Sequence, residues 1–197
     1  MTTAELPEIF VIRHGQTEWN LAGRWQGDLD SPLTDQGVAQ AKIMGAMLEK
    51  MGVSTATHQF YTSPMGRARR TAALVMREQG QAIEDARLRE ISVGRWTGIT
   101  RDEIRARTGL DEDAHFLDYY AAAPGGEPFA GLQARCEDFL AGLTGPSVIV
   151  THGVTSRFLR TLAMGWGLDR VAQLPGGQGV IHHVINRQHA EITPEQD

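Results

Sequence analysis

Residues 8–15 read EIFVIRHG and residues 147–153 read SVIVTHG. Each is a short, unbroken run of apolar and β-branched residues that ends in histidine and glycine. A run without polar alternation suits a strand covered on both faces, as in a parallel sheet. Between the two runs, strand-like segments alternate with helical patterns, the signature of an α/β domain. From 34 to about 51, Val38, Ala41, Met44, Leu48 and Met51 recur at helical spacing, and Gly52 can close the helix. Phe60 and Tyr61 mark a second strand. Ser63 and Pro64 have the residue types of an N-cap and first helical position for a helix to about Glu78, with Gly80 as its stop. A third run near 83–88 leads into the glycine-bearing stretch 90–98, and Thr100 with Glu103 has capping-box spacing. Residues 129–143 and 154–164 read as helices, and 180–186 as a terminal edge strand.

The stretch from about 100 to 128 is polar and helical without a strand, which predicts an insertion. The expected fold is therefore a three-layer α/β/α sandwich: a mostly parallel central sheet, helices on both faces, and a helical insertion over one edge. No repeat, low-complexity tract or composition break divides residues 1–197, so they read as one domain.

Composition narrows the function classes. The 197 residues are 41% hydrophobic and 22% charged, an ordinary globular balance. A net charge of −5 gives no general attraction for nucleic acid. Cys136 is the single cysteine, which excludes an internal disulfide, a cysteine-based zinc site and a Cys-x-x-Cys redox pair. The start MTTAELPEIF lacks the basic and long apolar stretches of a secretory signal, and no apolar run approaches the roughly 20 residues that span a bilayer. A cytoplasmic protein without a membrane partner is the expectation. Of 19 basic residues only Lys42 and Lys50 are lysine, and arginine's planar fork of donors matches phosphate and carboxylate oxygens.

Ligands of open α/β sheets bind beyond the carboxyl ends of the strands. There the sequence places Arg13-His14-Gly15, then Ser63-Pro64 with Arg67, then Glu90, then Thr151-His152-Gly153. Two histidines, two arginines and a glutamate at one crevice combine a nucleophile, an anion clamp and a proton source. Arginines among the histidines disfavour a metal cation, and neither a His-Glu-x-x-His helix nor a carboxylate cluster is present. An oxyanion is the better guest, with no metal and no cofactor required.

The same residues resemble the histidine phosphatase superfamily, which includes phosphoglycerate mutases and fructose-2,6-bisphosphatase domains. The resemblance rests on an ordered set: RHGQTEWN from Arg13, WQGDLDSPLTDQG from Trp25, YTSPMGRARRTA from Tyr61, LREISVGRWTG from Leu88, PGGEP from Pro124 and VTHG from Val150. It implies that His14 is the phosphorylated nucleophile, that Arg13, Arg67 and His152 form the phosphate pocket, and that Glu90 is the proton donor. Asn20 and Gln26 are implied as auxiliary phosphate ligands, with Gly153 beside them. Arg69 and Arg70 read as a solvated helix face. Trp19, Trp25 and Trp96 read as wall packing, and His182, His183 and His189 as exposed residues on the edge strand or its turn rather than metal ligands.

Within the resemblance, phosphohistidine is handed either to water or to a second hydroxyl. Only 62 positions separate Glu90 from His152, fewer than in mutases of this type. LREISVGRWTG is closer to the phosphatase branch, and PGGEP is similar to that branch's Pro-Gly-Gly-Glu-Ser with Pro128 in place of serine. A histidine acid phosphatase-type phosphomonoesterase acting on a small phosphorylated metabolite is the expectation, with Phe116 to Tyr120 touching the substrate's body. Its rivals are a phosphoglycerate mutase and a noncatalytic phospho-ligand binding module.

Overall fold

The computed structural model of the chain describes residues 6–77, 80–110 and 114–194. One sheet is formed by β1 (Ile9–Arg13), β2 (Gln59–Thr62), β3 (Ile83–Glu84), β4 (Ser147–Thr151), β5 (Ile181–Ile185) and β6 (Gln188–Ile192). The spatial order is β3-β2-β4-β1-β5-β6. The first four strands run parallel, and β5 and β6 add on antiparallel beyond β1. The helices are α1 (Glu18–Leu21), α2 (Asp35–Lys50), α3 (Gly66–Val75), α4 (Arg101–Thr108), α5 (Phe116–Ala121), α6 (Phe129–Ala141) and α7 (Gly153–Ala163).

The three layers follow from side-chain alternation in strands that are apolar throughout. Ile9 and Val11 of β1 join Ile149 in a core closed by Leu132 and Phe139 of α6 and Phe158 and Leu159 of α7. Phe10 and Ile12 point the other way, joining Val148 and Val150 in a core closed by Met44 and Leu48 of α2 and Ala68 and Ala72 of α3. A third, smaller cluster of Val93, Trp96, Ile104 and Tyr119 lies under α4 and α5. The expected capping box at Thr100 and Glu103 starts α4. Residues 111–113, within the predicted insertion, and residue 78, where α3 was expected to end, lie outside the described residues.

Three expectations are corrected. First, α3 starts at Gly66, not at Ser63 and Pro64, because a carboxylate from another segment takes the cap. Asp30 accepts from the Gly66 N–H at 2.6 Å and the Arg67 N–H at 3.2 Å, a favourable place for an anion. Second, the run at 83–88 pairs over two residues and then tightens into a 3-10 turn at Ala86–Leu88. Third, β5 is not the edge. Asn186 and Arg187, both at positive φ, turn the chain into β6, whose polar residues carried little strand signal. His182 is consequently buried, with 1% exposure. His183 lies 2.6 Å from Glu8, and His189 sits 3.1 Å from the buried Arg160.

The turn after β1 packs on the first turn of α2 backbone to backbone. A Cβ at Gly37 would stand 2.0 Å from the Gln16 carbonyl oxygen. Gly37→Ala is expected to cost about 1–3 kcal/mol in urea denaturation through this overlap. A second expectation concerns acid. Burial, then the Arg160 charge, holds His182 at about 3 and His189 at about 4. The unfolded chain binds protons that the folded chain refuses, so stability falls as pH drops below the ordinary histidine value and through these two. Melting temperature should decline from pH 7 to pH 4, and His189→Gln should flatten the decline.

Candidate active site

The site is assembled by strand register. Arg13 of β1 pairs with Thr151 of β4. Beyond that pair, the His14 N–H donates to the Thr151 carbonyl at 2.9 Å and the Ser63 N–H to the Val150 carbonyl at 3.0 Å. His14, Ser63 and His152 are thereby grouped at the carboxyl ends of three parallel strands. The His14 and His152 rings are 5.2 Å apart, edge to face.

His14 is 3% exposed. Its Nδ1 lies 2.8 Å from the Gly15 carbonyl oxygen, which can only accept. Nδ1 therefore carries the proton of the neutral ring, and Nε2 keeps its lone pair. Burial, and then the charges of Arg13 and Arg67, hold the His14 pKa well below its ordinary value. This nitrogen stays nucleophilic under conditions that protonate a surface histidine.

His152 is fully buried, and its pKa is likewise lowered by burial and then by Arg67. Its Nε2 is 2.8 Å from Ser63 Oγ, which also accepts the Met65 N–H. Its Nδ1 is buried without a partner. Arg13 Nε and Arg67 Nε are buried without partners too. Two guanidinium N–H donors left unpaired at a buried site are costly unless they serve an anion. Arg67 is braced by its other nitrogens: Nη1 donates to Asp30 at 2.8 Å and the Leu29 carbonyl at 2.7 Å, Nη2 to the Gly27 carbonyl at 3.1 Å.

Glu90 is the carboxyl group that lines the site's cavity, and the neighbouring glutamates are committed elsewhere. Glu103 caps α4 through the Thr100 N–H at 2.7 Å. Glu127 makes a two-pronged pair with Arg135 at 2.7 and 2.9 Å. Glu90 reaches from the turn after β3 to the first turn of α7, where Oε2 accepts the Val154 N–H at 3.2 Å and Oε1 the Thr155 N–H at 3.1 Å.

Arg13, His14, Asn20, Arg24, Trp25, Gln26, Arg67, Glu90 and Tyr120 share a cavity of about 230 Å³. His152 and Gly153 do not line it but border it: a Cβ at Gly153 would stand 3.5 Å from the Arg13 guanidinium and 3.6 Å from Glu90 Oε2. Of the aromatic stretch expected to meet substrate, Tyr120 lines the cavity, tilted against Trp25 at 4.3 Å. Tyr119 is buried, and Phe116 sits under the Arg157 guanidinium. Trp96 packs in the insertion's core, as a wall residue should.

Sequence reasoning missed two organisers. Thr17 accepts from Gln26 Nε2 at 2.8 Å and from the Asn20 N–H at 3.2 Å. Gln178, in the loop before β5, donates to Asn20 Oδ1 at 3.0 Å and to the His14 carbonyl at 3.2 Å. Thr17 stood inside the first motif as an N-cap type, but nothing local marked Gln178.

Comparison with known proteins bears on this arrangement. The model of the histidine phosphatase superfamily (branch 1) matches residues 9–193. A 2,3-bisphosphoglycerate-dependent phosphoglycerate mutase of Azorhizobium caulinodans is 37% identical over 164 residues, 77% of this chain and 78% of that protein. The solved mycobacterial glucosyl-3-phosphoglycerate phosphatase in complex with VO3 is 28% identical, with a TM-score of 0.77 over 90% of both chains. The alpha-ribazole phosphatase of Shigella flexneri, at 22% identity and a TM-score of 0.77, covers 94% of this chain and 95% of its own and shares the fold.

In an NMR titration the His14 ring should remain neutral at pH 6. Arg13→Ala, which removes a charge that opposes protonation, should move its midpoint up.

Proposed function

The chain belongs to the histidine phosphatase superfamily, branch 1, and on that premise we propose that it is a phosphomonoesterase for a small phosphorylated substrate, working through phosphohistidine on His14. One observation carries the reading: the Nδ1 contact with the Gly15 carbonyl leaves Nε2 as a lone pair in the cavity that also holds Glu90.

In the first step, Nε2 of His14 forms a bond to phosphorus as the ester P–O bond breaks, and Glu90 gives its proton to the departing alkoxide. Arg13, Arg67 and His152 supply donors to the phosphoryl oxygens, whose charge redistributes during transfer. Arg67, held by Asp30 and two carbonyls, needs no rearrangement to do so. In the second step, the Glu90 carboxylate takes a proton from water as that water attacks phosphorus and the P–N bond breaks. Inorganic phosphate leaves and His14 returns to its neutral state. Asn20 and Gln26 serve as auxiliary phosphate ligands. No metal and no cofactor enters this scheme.

The two helices of the insertion leave exposed Gly23 and Arg24 on the cavity wall, which supports access by water. A second reading, transfer to a phosphoglycerate hydroxyl, is favoured by the names of the curated relatives.

Phosphate release from a panel of phosphomonoesters that includes 3-phosphoglycerate tests the choice. Release is expected from wild type and should fall by on the order of 10³ or more in His14→Ala. Glu90→Gln should lower kcat/KM by about 10²–10⁴ on alkyl esters, and far less on p-nitrophenyl phosphate, whose leaving group needs no proton. Activity should survive exhaustive chelation, and a strict divalent-ion requirement would overturn the scheme. Phosphate exchange with 2,3-bisphosphoglycerate and no net release would establish the mutase reading instead.

A further inference from the structure

Thr155 Oγ1 lies 2.7 Å from the Arg89 carbonyl oxygen and 3.0 Å from Glu90 Oε1. A hydroxyl has one proton, so it cannot donate to both. Oε1 already accepts the Thr155 N–H at 3.1 Å and the Ile91 N–H at 3.1 Å, and has no room to carry a proton of its own. Oε2 has one backbone donor, Val154, and lies toward Arg13: a Cβ at Gly153 would be 3.6 Å from Oε2 and 3.5 Å from the Arg13 guanidinium. The exchangeable proton of Glu90 therefore belongs on Oε2.

We propose that Thr155 is a positioning residue for the acid, a hydroxyl whose single proton moves between two acceptors in step with Glu90. When Glu90 is neutral, Thr155 donates to the Arg89 carbonyl. When Glu90 ionises, the proton swings to Oε1 and stabilises the new charge. The Arg89 carbonyl is not abandoned in that state, because Arg135 Nη1 donates to it at 2.7 Å. Thr155 thus favours loss of the Glu90 proton to the leaving group and holds the carboxylate ready for water. The proposal rests on Glu90 being the proton donor of the reading above.

The cations and weak acids facing Glu90 do not move with it. Arg13 of β1, Arg67 of α3, Arg135 of α6 and Arg157 of α7 are cations. Tyr120 of α5 and Cys136 of α6 are neutral acids whose burial pushes them up, Cys136 to about 12. His14 in the same cavity and the neighbouring His152 have pKa values lowered by burial, so their ring signals are followed alongside Glu90; the responsive group bonded to the carboxylate is the Thr155 hydroxyl.

The test is the midpoint of Glu90 itself, followed by ¹³C NMR of the labelled side-chain carboxyl in the whole protein. Loss of a donor to the charged form raises a carboxyl pKa, so Thr155→Val should raise the midpoint by about half a unit or more, and Thr155→Ser should restore it. The high-pH limb of kcat/KM for an alkyl phosphomonoester should rise with it in Thr155→Val. Thr155→Ala gives the same readout should valine fail to fold. An unmoved or lowered midpoint without the hydroxyl overturns the proposal, as does a serine variant displaced as far as valine. If wild type releases no phosphate from any ester, the functional reading falls, while the Glu90 titration still decides the role of Thr155.

Discussion

The parallel pairing of β1 with β4 sets Arg13 against Thr151, and the His14 N–H extends that ladder by one bond to the Thr151 carbonyl. Successive residues of a strand face opposite sides of the sheet. A slip of one residue would send Arg13 and His14 to the faces that hold Ile12 and Arg13, and would drive Phe10 and Ile12 out of the core that α2 and α3 close. The apolar alternation along β1 and β4 that stabilises the sheet is therefore also what aims the imidazole. The His14 imidazole is positioned by packing along its own strand, among the best-buried residues of the molecule.

Burial then sets the electrostatics. A neutral imidazole among fixed guanidinium groups is stable because protonating it would place a further cation in a dry, positively charged site. The arginines face the same desolvation, and Arg67 shows how it is met. Asp30 lies beside the guanidinium, caps the helix that carries it, and turns the 27–30 loop so that two carbonyls complete the cradle. Arg67 is buried but the Asp30 side chain is 40% exposed, so the pair is only half desolvated and its net contribution to stability is modest. Its value lies in orientation, since a pre-set donor reaches a transferring phosphoryl group without reorganising.

What could be read from the sequence follows from how local each signal is. The helices α2, α4, α6 and α7, the strands β1, β2 and β4, and the grouping of His14, Arg67, Glu90 and His152 all rest on contiguous patterns or on strand ends. The start of α3 was misplaced because its cap, Asp30, is 36 positions away in the chain and no local rule connects the two. The edge strand was missed because β6 alternates polar residues with little β-branching, and its pairing depends on a tight turn at Asn186 and Arg187. Those same residues changed the account of His182, whose burial depends on β6 covering β5. Gln178 was invisible for a similar reason: it reaches His14 and Asn20 across 164 and 158 positions of sequence.

The insertion has a small core of its own around Trp96, while Phe116, Leu117 and Tyr120 of α5 also pack against the core closed by α6 and α7. It is nevertheless not free of the chemistry. The Arg95 N–H donates to the Pro124 carbonyl and the Glu127 N–H to the Ser92 carbonyl, so the C-terminal end of the insertion is tied to the turn that follows Glu90. Gly94 makes the crossing close, at positive φ, with Pro124 so near that a Cβ would meet its carbonyl oxygen at 2.3 Å. His14 is thus anchored at the sheet, while Glu90 sits four residues from the close crossing at Gly94. Tyr120 of the insertion shares the cavity wall with Glu90, so a displacement at the insertion's C-terminal end reaches both, while His14 keeps the place that β1 and β4 give it.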